Sequence, residues 1–407
     1  METNILVEII FKYERGNDWQ GLTSGVRSLS FAKTSLYNKY GQSNLVAEAK
    51  YWEEQGLIQV KWLSYHFDIE RIFYSLSDIS RIYEITGRIT KKIRIENAIE
   101  YLKVLAKQVR QSWIFEYYES LIEQLEKGNW PEELDRCGDG KRYESGHLMV
   151  GDKGYVNHLF LCLNGIDGLE HPVYKKIFSK YFLGDSKLFE KKLEGRVLTI
   201  ARNRCANIDD SMNNTQALAE LYIEEYAQEL CVKGELIVVQ DGVKIDLSIF
   251  RYGTVLNSEM LKHVKVADGQ RISKLITVEN KANYMSLPYE EGTLIIYSHG
   301  YFTPKERKFL QELERTLQDD EVQYFHTGDL DYGGICIFRY IRKQIFPKLQ
   351  PLKMDVRQFE KYKEMAVAIE DSTWEKLKQL REPKMQQLID YILKERKVIE
   401  QESFLMM

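Results

Sequence analysis

The stretch HTGDLDYGGICIF, residues 326–338, decides how the C-terminal third of the chain is interpreted. Asp329 and Asp331 lie one residue apart among glycines, directly after the apolar run VQYF. Residues i and i+2 of an extended segment point the same way, so both carboxylates can face one ion. A solvated acidic turn is the alternative, because an Asp-x-Asp pair also recurs by chance in acidic loops. The surrounding sequence has to distinguish the two.

Strands and helices alternate on the N-terminal side of this stretch. LITVEN and TLIIYSHG are apolar strand patterns, and Thr303 and Pro304 begin a helix before the strand VQYFHTG. This order predicts a small parallel α/β sheet, which places ligands at the carboxyl ends of its strands. Glu279 ends the first of these strands, about fifty residues before the two aspartates.

Glu279, Asp329 and Asp331 are therefore predicted to form a catalytic metal site. Ligands that are all oxygens, on a rigid sheet edge, suit Mg²⁺ or Mn²⁺, and such a site polarises a phosphodiester and activates a nucleophile. Three glycines are expected to let a substrate backbone approach closely: Gly328, Gly333 and Gly334.

The composition of the chain limits the class of protein to which it can belong. The 407 residues are 44% hydrophobic and 29% charged, which is typical of a soluble globular protein with several domains. No apolar run reaches 18 residues, no signal peptide is evident, and five scattered cysteines indicate reduced thiols in a cytoplasm. The net charge of −4 means that any DNA binding must rest on local patches. No phosphate-binding GxxxxGK[ST] motif occurs, so the sequence shows no P-loop ATPase signature of its own.

The chain is expected to be an α+β protein of five parts. These are a winged-helix-like unit (1–75), a helical arm (76–140), a central α+β unit (141–268), the α/β metal-binding domain (269–345) and a helical appendage for packing or dimerisation (346–407). Within them we predict helix from Asp68 to about 133, a linker at 129–146, helices at 170–183, 187–204 and 214–232, and a type I′ hairpin at Asp241-Gly242.

Six basic residues are candidates for DNA contact. Lys187 in GDSK either contacts a phosphate or caps a helix, and Lys281 is equally open. The cluster in TGRITKKIR is either a solvated helix face or a contact to the phosphate backbone, and it consists of Arg88, Lys91, Lys92 and Arg94. His299 and His326 end strands beside the proposed metal, but a structural hydrogen bond is the commoner role for such histidines.

The glutamate and the Asp-x-Asp pair resemble the Toprim domain of topoisomerases, primases and nucleases over roughly residues 270–345. The glutamate context VENKANY is unlike the VEGxxD of primases, whereas Gly300-Tyr301-Phe302 and the run DLDYGGICI look like the A subunit of the topoisomerase VI branch. IFSKYFLGDSKLFEKKLEGRVLTIARN (177–203) and LSIFRYGTVLNSEML (247–261) narrow the resemblance to the JetD family, which belongs to the Wadjet anti-plasmid system.

That resemblance implies a CAP-like central domain with a winged-helix fold, and a homodimeric, Mg²⁺-dependent endonuclease that cuts circular double-stranded plasmid DNA. It also implies an SMC-like ATPase, a kleisin and a KITE protein as partners. Topoisomerase VI relatives cut with a tyrosine on the preceding helical domain, so Tyr181 is the nucleophile in an alternative transesterase reading. Tyr181 lacks the Arg-x-x-Tyr-Tyr setting of those enzymes, which favours metal-activated water. A non-catalytic DNA-binding protein is a further alternative, and the intact Glu279, Asp329 and Asp331 argue against it.

Overall fold

A computed structural model describes residues 2–21, 24–31, 35–63, 67–135, 155–225, 229–317 and 321–405. The chain divides into two compact units, 1–157 and 158–407. Within the described ranges, no helix is both long enough and apolar enough to cross a membrane. Cys137 and much of the predicted linker at 129–146 lie outside the described residues.

The first unit contains six helices and three strands in its described residues. In chain order they are α1 (Asn4–Arg15), β1 (Val26–Ser30), α2 (Ser35–Tyr40), α3 (Gln42–Glu54), β2 (Gln59–Leu63), β3 (Asp68–Ser75), α4 (Ile79–Thr86), α5 (Lys91–Gln108) and α6 (Ser112–Glu126). The strands form an antiparallel sheet in the order β1-β3-β2. The sequence predicts a helix at 5–13, a helix at about 44–55 and a hairpin in LIQVKWL and YHFDI, and α1, α3 and the pair β2–β3 occupy these places; β1 is an additional strand that the polar sequence before α2 did not indicate.

The core of this unit forms where α1 meets α3, α4 and the sheet. Apolar side chains of α1 recur at helical spacing and are fully buried, among them Ile5, Leu6 and Ile9. Glu48 of α3 is also fully buried and accepts a hydrogen bond of 2.8 Å from the backbone N–H of Ile5, which lies in the first turn of α1. The helix predicted to begin at Asp68 is wrong for its first eight residues, because alternate burial along 68–75 gives strand β3.

The second unit begins with four helices and a two-stranded pairing. The elements are α7 (His158–Asp167), β4 (Val173–Tyr174), α8 (Lys175–Leu183), a π-helical turn (Phe189–Leu193) that leads into α9 (Glu194–Arg204), α10 (Asn214–Glu220) and β5 (Ile223–Glu224). The helix predicted over 214–232 is wrong beyond Glu220. Tyr222 has a left-handed backbone (φ 59°), which ends the helical run.

Six strands form one mixed sheet among the described residues, in the order β14-β13-β11-β12-β6-β9. The strands of this second unit are β6 (Glu229–Gly234), β7 (Ile237–Gln240), β8 (Val243–Asp246), β9 (Thr254–Asn257), β10 (Val264–Val266), β11 (Lys274–Val278), β12 (Thr293–Tyr297), β13 (Gln323–Thr327) and β14 (Gln350–Pro351). β14, β13, β11 and β12 run parallel to one another, β6 pairs antiparallel with β12, and β9 pairs antiparallel with β6. The expected parallel strands are present, and the sheet continues beyond the predicted limits 269 and 345.

Local signals in this unit are realised as predicted. Asp241 and Gly242 both have left-handed backbones (φ 50° and 81°) between β7 and β8, which pair with β10 in a separate antiparallel sheet. Thr303 caps its helix, and its backbone N–H donates to the carboxylate of Glu306 at 2.8 Å.

Seven α-helices follow β9 in the described part of the second unit. They are α11 (Met260–His263), α12 (Lys281–Ser286), α13 (Pro304–Thr316), α14 (Tyr332–Gln344), α15 (Val356–Lys361), α16 (Asp371–Gln379) and α17 (Gln386–Glu395). β15 (Val367–Ala368) pairs with β16 (Lys397–Val398). The chain then returns to the sheet, where Ile399 bridges to Leu330 before a final 3₁₀ turn (Gln401–Leu405).

Candidate metal centre

Three carboxylates meet at the carboxyl edge of the mixed sheet. Glu279 follows β11, and Asp329 and Asp331 follow β13, which is paired in parallel with β11. Parallel pairing brings the ends of both strands to the same edge, because Val278 is the register partner of Thr327. The structure therefore brings together the three residues that the sequence predicted as the site.

Each carboxylate is held by a backbone amide. The N–H of Asp329 donates to Oε2 of Glu279 at 3.0 Å, and the N–H of Gln401 donates to Oδ1 of Asp329 at 2.7 Å. Asp331 is the N-cap of α14, where its Oδ1 accepts from the N–H of Gly334 at 2.7 Å. In the described part of the chain, the second oxygens of Glu279 and Asp329 accept no hydrogen bond, so they are available to a ligand.

Burial and mutual repulsion make the carboxylates poor acids. Burial, followed by the charges of Asp329 and Asp331, raises the pKa of Glu279 to about 8. Burial and the neighbouring Asp331 charge raise the pKa of Asp329 to about 7, against the hydrogen bond from Gln401. Burial also raises the pKa of Asp331. A cation bound between these carboxyl groups would instead favour their ionised forms.

The donor chemistry fits a hard divalent cation. The three side chains offer oxygen only, the ligand type that Mg²⁺ and Mn²⁺ prefer. Among the residues that the structure describes, no group of three or more His, Cys, Asp or Glu side chains is arranged so that it could hold a metal ion by itself. Mg²⁺ usually takes one or two carboxylates and fills its remaining positions with water and substrate phosphate. The edge therefore suits an open site completed by substrate.

Two of the three glycines of this stretch serve the protein's own packing, whereas a Cβ on Gly333 would meet nothing closer than 3.5 Å, and the approach of a substrate stays a prediction. A Cβ on Gly328 would lie 2.2 Å from Oε2 of Glu279, and one on Gly334 would lie 2.3 Å from the carbonyl oxygen of Asp329. Both positions are filled by the residues that make the site. Gly328 and Gly334 thus bring the strand-end loop against the glutamate and against α14.

The two strand-end histidines occupy different surroundings. His326 is fully buried, its Nδ1 lies 2.8 Å from Oγ1 of Thr277, and burial lowers its pKa to about 3. His299 has a left-handed backbone (φ 44°), and its Nε2 lies 3.1 Å from Oε2 of the fully buried Glu306. This carboxylate raises the pKa of His299 despite burial. His326 is therefore neutral and structural, whereas His299 is paired with the Glu306 carboxylate beside a cleft.

The cleft has a volume of about 390 Å³ and lies near the ends of β11 and β12. Its lining includes Lys281, Tyr297 and His299 from this edge and Gln216 from α10. Lys281 is exposed in the first turn of α12. Of the basic candidates, Lys281 lies two residues after Glu279 in the chain and lines this cleft, whose lining among the described residues does not include the three carboxylates.

Lys187 and Tyr181 lie on the α8 side of the second unit. The backbone N–H of Lys187 donates to Oδ1 of Asp185 at 2.7 Å, and its side chain is exposed. Tyr181 is 80% exposed, and its ring packs against Phe182. Four further lysines that sequence reasoning did not select are exposed on α8 and in the turn before α9: Lys176, Lys180, Lys191 and Lys192. The i,i+4 spacing of Lys176 and Lys180 along α8 is a sequence signal that could have grouped these two.

The basic cluster of the first unit is largely engaged with its own domain. Nζ of Lys91 donates to the carbonyl oxygen of Glu14 at 3.1 Å, and Arg94 forms an ion pair with the Glu14 carboxylate. Arg88 stacks over a phenylalanine ring at 5.1 Å, and Lys92 is exposed. The structure places these residues in a different unit from the carboxylates, and their contact with DNA stays a prediction.

Comparison with known proteins supports the resemblance. The family described as Wadjet protein JetD, C-terminal, matches residues 233–406. The chain is 30% identical over 354 residues to the Wadjet protein JetD of Bacillus cereus (strain Q1), an alignment that covers 85% of this chain and 82% of that protein. The matched residues include both strand ends that carry the carboxylates.

Proposed function

Because the chain belongs to the family of the Wadjet protein JetD, we propose that it is a Mg²⁺- or Mn²⁺-dependent DNA endonuclease of a Wadjet defence system. The observation that carries this proposal is the meeting of Glu279, Asp329 and Asp331 at one sheet edge, each fixed by a backbone amide. In this proposal residues 269–345 form a Toprim domain, and residues 1–75, with the hairpin β2–β3, form a winged-helix-like domain.

The carboxylates would bind the cation through the oxygens that point away from their amide partners. A divalent cation held there supplies positive charge that polarises a phosphodiester and activates water. Lys281 lies in the adjoining cleft, where its ammonium group can neutralise a neighbouring phosphate. His299 stays paired with Glu306 and orders the cleft wall.

DNA is the proposed substrate because a basic surface lies on the same unit. This surface consists of five exposed lysines: Lys176, Lys180, Lys187, Lys191 and Lys192. Within the described part of the chain these lysines form no ion pair, and Lys180 donates to the carbonyl oxygen of Gly184. An unpaired cationic surface on a chain of net charge −4 favours a polyanion. The family implies circular plasmid DNA, delivered by an SMC-like ATPase with kleisin and KITE proteins, and a JetD homodimer.

A cleavage assay with variants tests this proposal. Supercoiled plasmid is incubated with the full chain and its Wadjet partner proteins, with Mg²⁺ or Mn²⁺, and nicked and linear products are measured. We expect Glu279→Ala and Asp331→Ala to lose cleavage by at least about 100-fold, because each removes an anionic ligand. Glu291→Ala, an exposed carboxylate outside the site, is the matched control and should cleave like the parent. Equal cleavage by all four proteins would exclude the metal centre.

A tyrosine transesterase is the second candidate, and the 80% exposure of Tyr181 is the observation that favours it. A tyrosine nucleophile becomes covalently joined to DNA, so a reaction stopped with denaturant would contain a protein–DNA adduct. We expect no adduct and parent-like cleavage by Tyr181→Phe, because hydrolysis by water requires no phenol. An adduct that disappears in Tyr181→Phe would establish the transesterase instead.

A further inference from the structure

The segment 399–402, here called the C-terminal strap, is built into the carboxylate edge. Ile399 and Leu330 exchange backbone hydrogen bonds of 2.8 and 3.3 Å, which ties the strap to the loop between Asp329 and Asp331. The sequence predicted only a packing or dimerising appendage here. The strap instead contacts the candidate site directly.

Gln401 makes most of the polar contacts of the strap. It is 1% exposed, and its backbone N–H donates to Oδ1 of Asp329 at 2.7 Å. Its side chain accepts from the N–H of Asn280 at 3.0 Å and donates to Oγ1 of Thr327 at 2.9 Å. Its carbonyl oxygen accepts from Nδ2 of Asn283 at 3.0 Å. One buried residue thus uses its amide side chain and its peptide groups on both loops that carry the carboxylates.

We propose that Gln401 is a positioning residue of the metal centre, which sets the separation of Glu279 and Asp329. This inference rests on the proposed function. The Gln401 side-chain amide is hydrogen-bonded to Asn280, which follows Glu279, and to Thr327 at the end of β13. These contacts hold the backbone N–H of Gln401 against the Asp329 carboxylate.

Mn²⁺ binding to the full chain without DNA tests the role independently of cleavage. Dissociation constants come from calorimetry and Mn²⁺ electron paramagnetic resonance, with thermal unfolding as the measure of folding. Gln401→Met keeps the side-chain volume but loses both side-chain hydrogen bonds, and we expect it to weaken Mn²⁺ binding by about 10- to 100-fold. Gln387→Met, an exposed glutamine on α17, is the matched control and should bind like the parent.

A second pair of variants addresses the same contact from its other side. Thr327→Val removes the acceptor of the Gln401 amide at nearly constant volume, and we expect Mn²⁺ affinity to fall by about 2- to 10-fold. Thr327→Ser loses a methyl group but keeps the hydroxyl, so its affinity should return to the parent value even if its unfolding temperature falls. A purely structural role would make affinity follow the unfolding temperature across both variants.

The outcomes separate this inference from the proposed function. If the parent binds Mn²⁺ and Glu279→Ala does not, but Gln401→Met and Thr327→Val keep the parent affinity, Gln401 is not a positioning residue and the metal centre stands. If the parent binds no Mn²⁺, both proposals are overturned. If Gln401→Met does not fold, the valine and serine variants of Thr327 decide the question.

Discussion

Substitution of Gly328 tests how strongly the candidate site depends on the position of the Glu279 carboxylate. An added Cβ would lie 2.2 Å from Oε2 of Glu279, 3.1 Å from Nε2 of His326 and 3.2 Å from Cβ of Glu279. Gly328 does not have a left-handed backbone, so alanine is free of backbone strain there and its effect comes from this collision. An ordinary contact needs more than about 3 Å, and the glutamate carboxylate must therefore move by about 1 Å.

This displacement should affect the chemistry more than the folding. It breaks the hydrogen bond of 3.0 Å from the Asp329 N–H to Glu279, which contributes about 1 kcal/mol to stability. A misplacement of about 1 Å in a catalytic group can lower a rate by about 100-fold. We therefore expect Gly328→Ala to fold, to bind Mn²⁺ more weakly and to cleave plasmid DNA about 100-fold more slowly than the parent.

The assay compares Mn²⁺ affinity, plasmid cleavage and unfolding free energy for Gly328→Ala and a control. Gly195→Ala is the matched control, because a Cβ on Gly195 meets nothing within 4 Å and the residue lies inside α9. Alanine should stabilise that helix by up to about 1 kcal/mol and leave Mn²⁺ binding unchanged. Parent-like affinity and cleavage in Gly328→Ala would refute the reasoning, because the glutamate would then tolerate a shift that the geometry requires.

Two further predictions concern buried charges away from the site. Arg307 donates hydrogen bonds of 2.8 and 3.1 Å to the buried Glu220, so Arg307→Ala leaves this carboxylate without its cation and should destabilise the second unit by about 3–5 kcal/mol in chemical denaturation. Arg315→Ala, at an exposed position of the same helix, should change stability by less than about 0.5 kcal/mol. Equal effects of the two variants would contradict this prediction. Burial raises the pKa of Glu48 to about 7, so its contribution is full below the unfolded pKa near 4.5 and is lost as the pH rises through 7. The difference in unfolding free energy between Glu48→Gln and the parent should therefore shift by about 3 kcal/mol in favour of the variant between about pH 4 and about pH 9. A difference that does not vary with pH would contradict the assignment.

The parts of the fold that could be predicted from the sequence are those with local signals. The capping pair Thr303 and Glu306 and the turn Asp241-Gly242 determine their own backbone from neighbouring residues. The carboxylates of the candidate site also follow from a local rule, since each stands at the end of an apolar strand. Their meeting follows from parallel pairing of β11 and β13.

Features that depend on distant pairing could not be predicted in this way. Strand β6 has apolar residues compatible with a helix or a strand, and pairing with β12 and β9 decides its state. Gln401 lies about seventy residues after the aspartates in a charged tail, where a single glutamine has no distinguishing pattern. Gly328 was recognised as special, but its physical reason, the approach of Glu279, is visible only in three dimensions.

The way in which the carboxylates are held couples cation binding to folding. The amides that donate to them belong to Asp329, Gln401 and Gly334, which lie on the strand-end loop, the C-terminal strap and the first turn of α14. These segments meet only when the sheet and the C-terminal helices are in place, so an unfolded chain presents no such site. A cation that binds here must therefore stabilise the folded unit, and the cost of gathering three repelling carboxylates is relieved by the ion and not by any single side chain. Variants that move the amides should accordingly weaken cation binding by misplacing the carboxylates. Variants that remove a carboxylate should weaken the same binding equilibrium by removing negative charge.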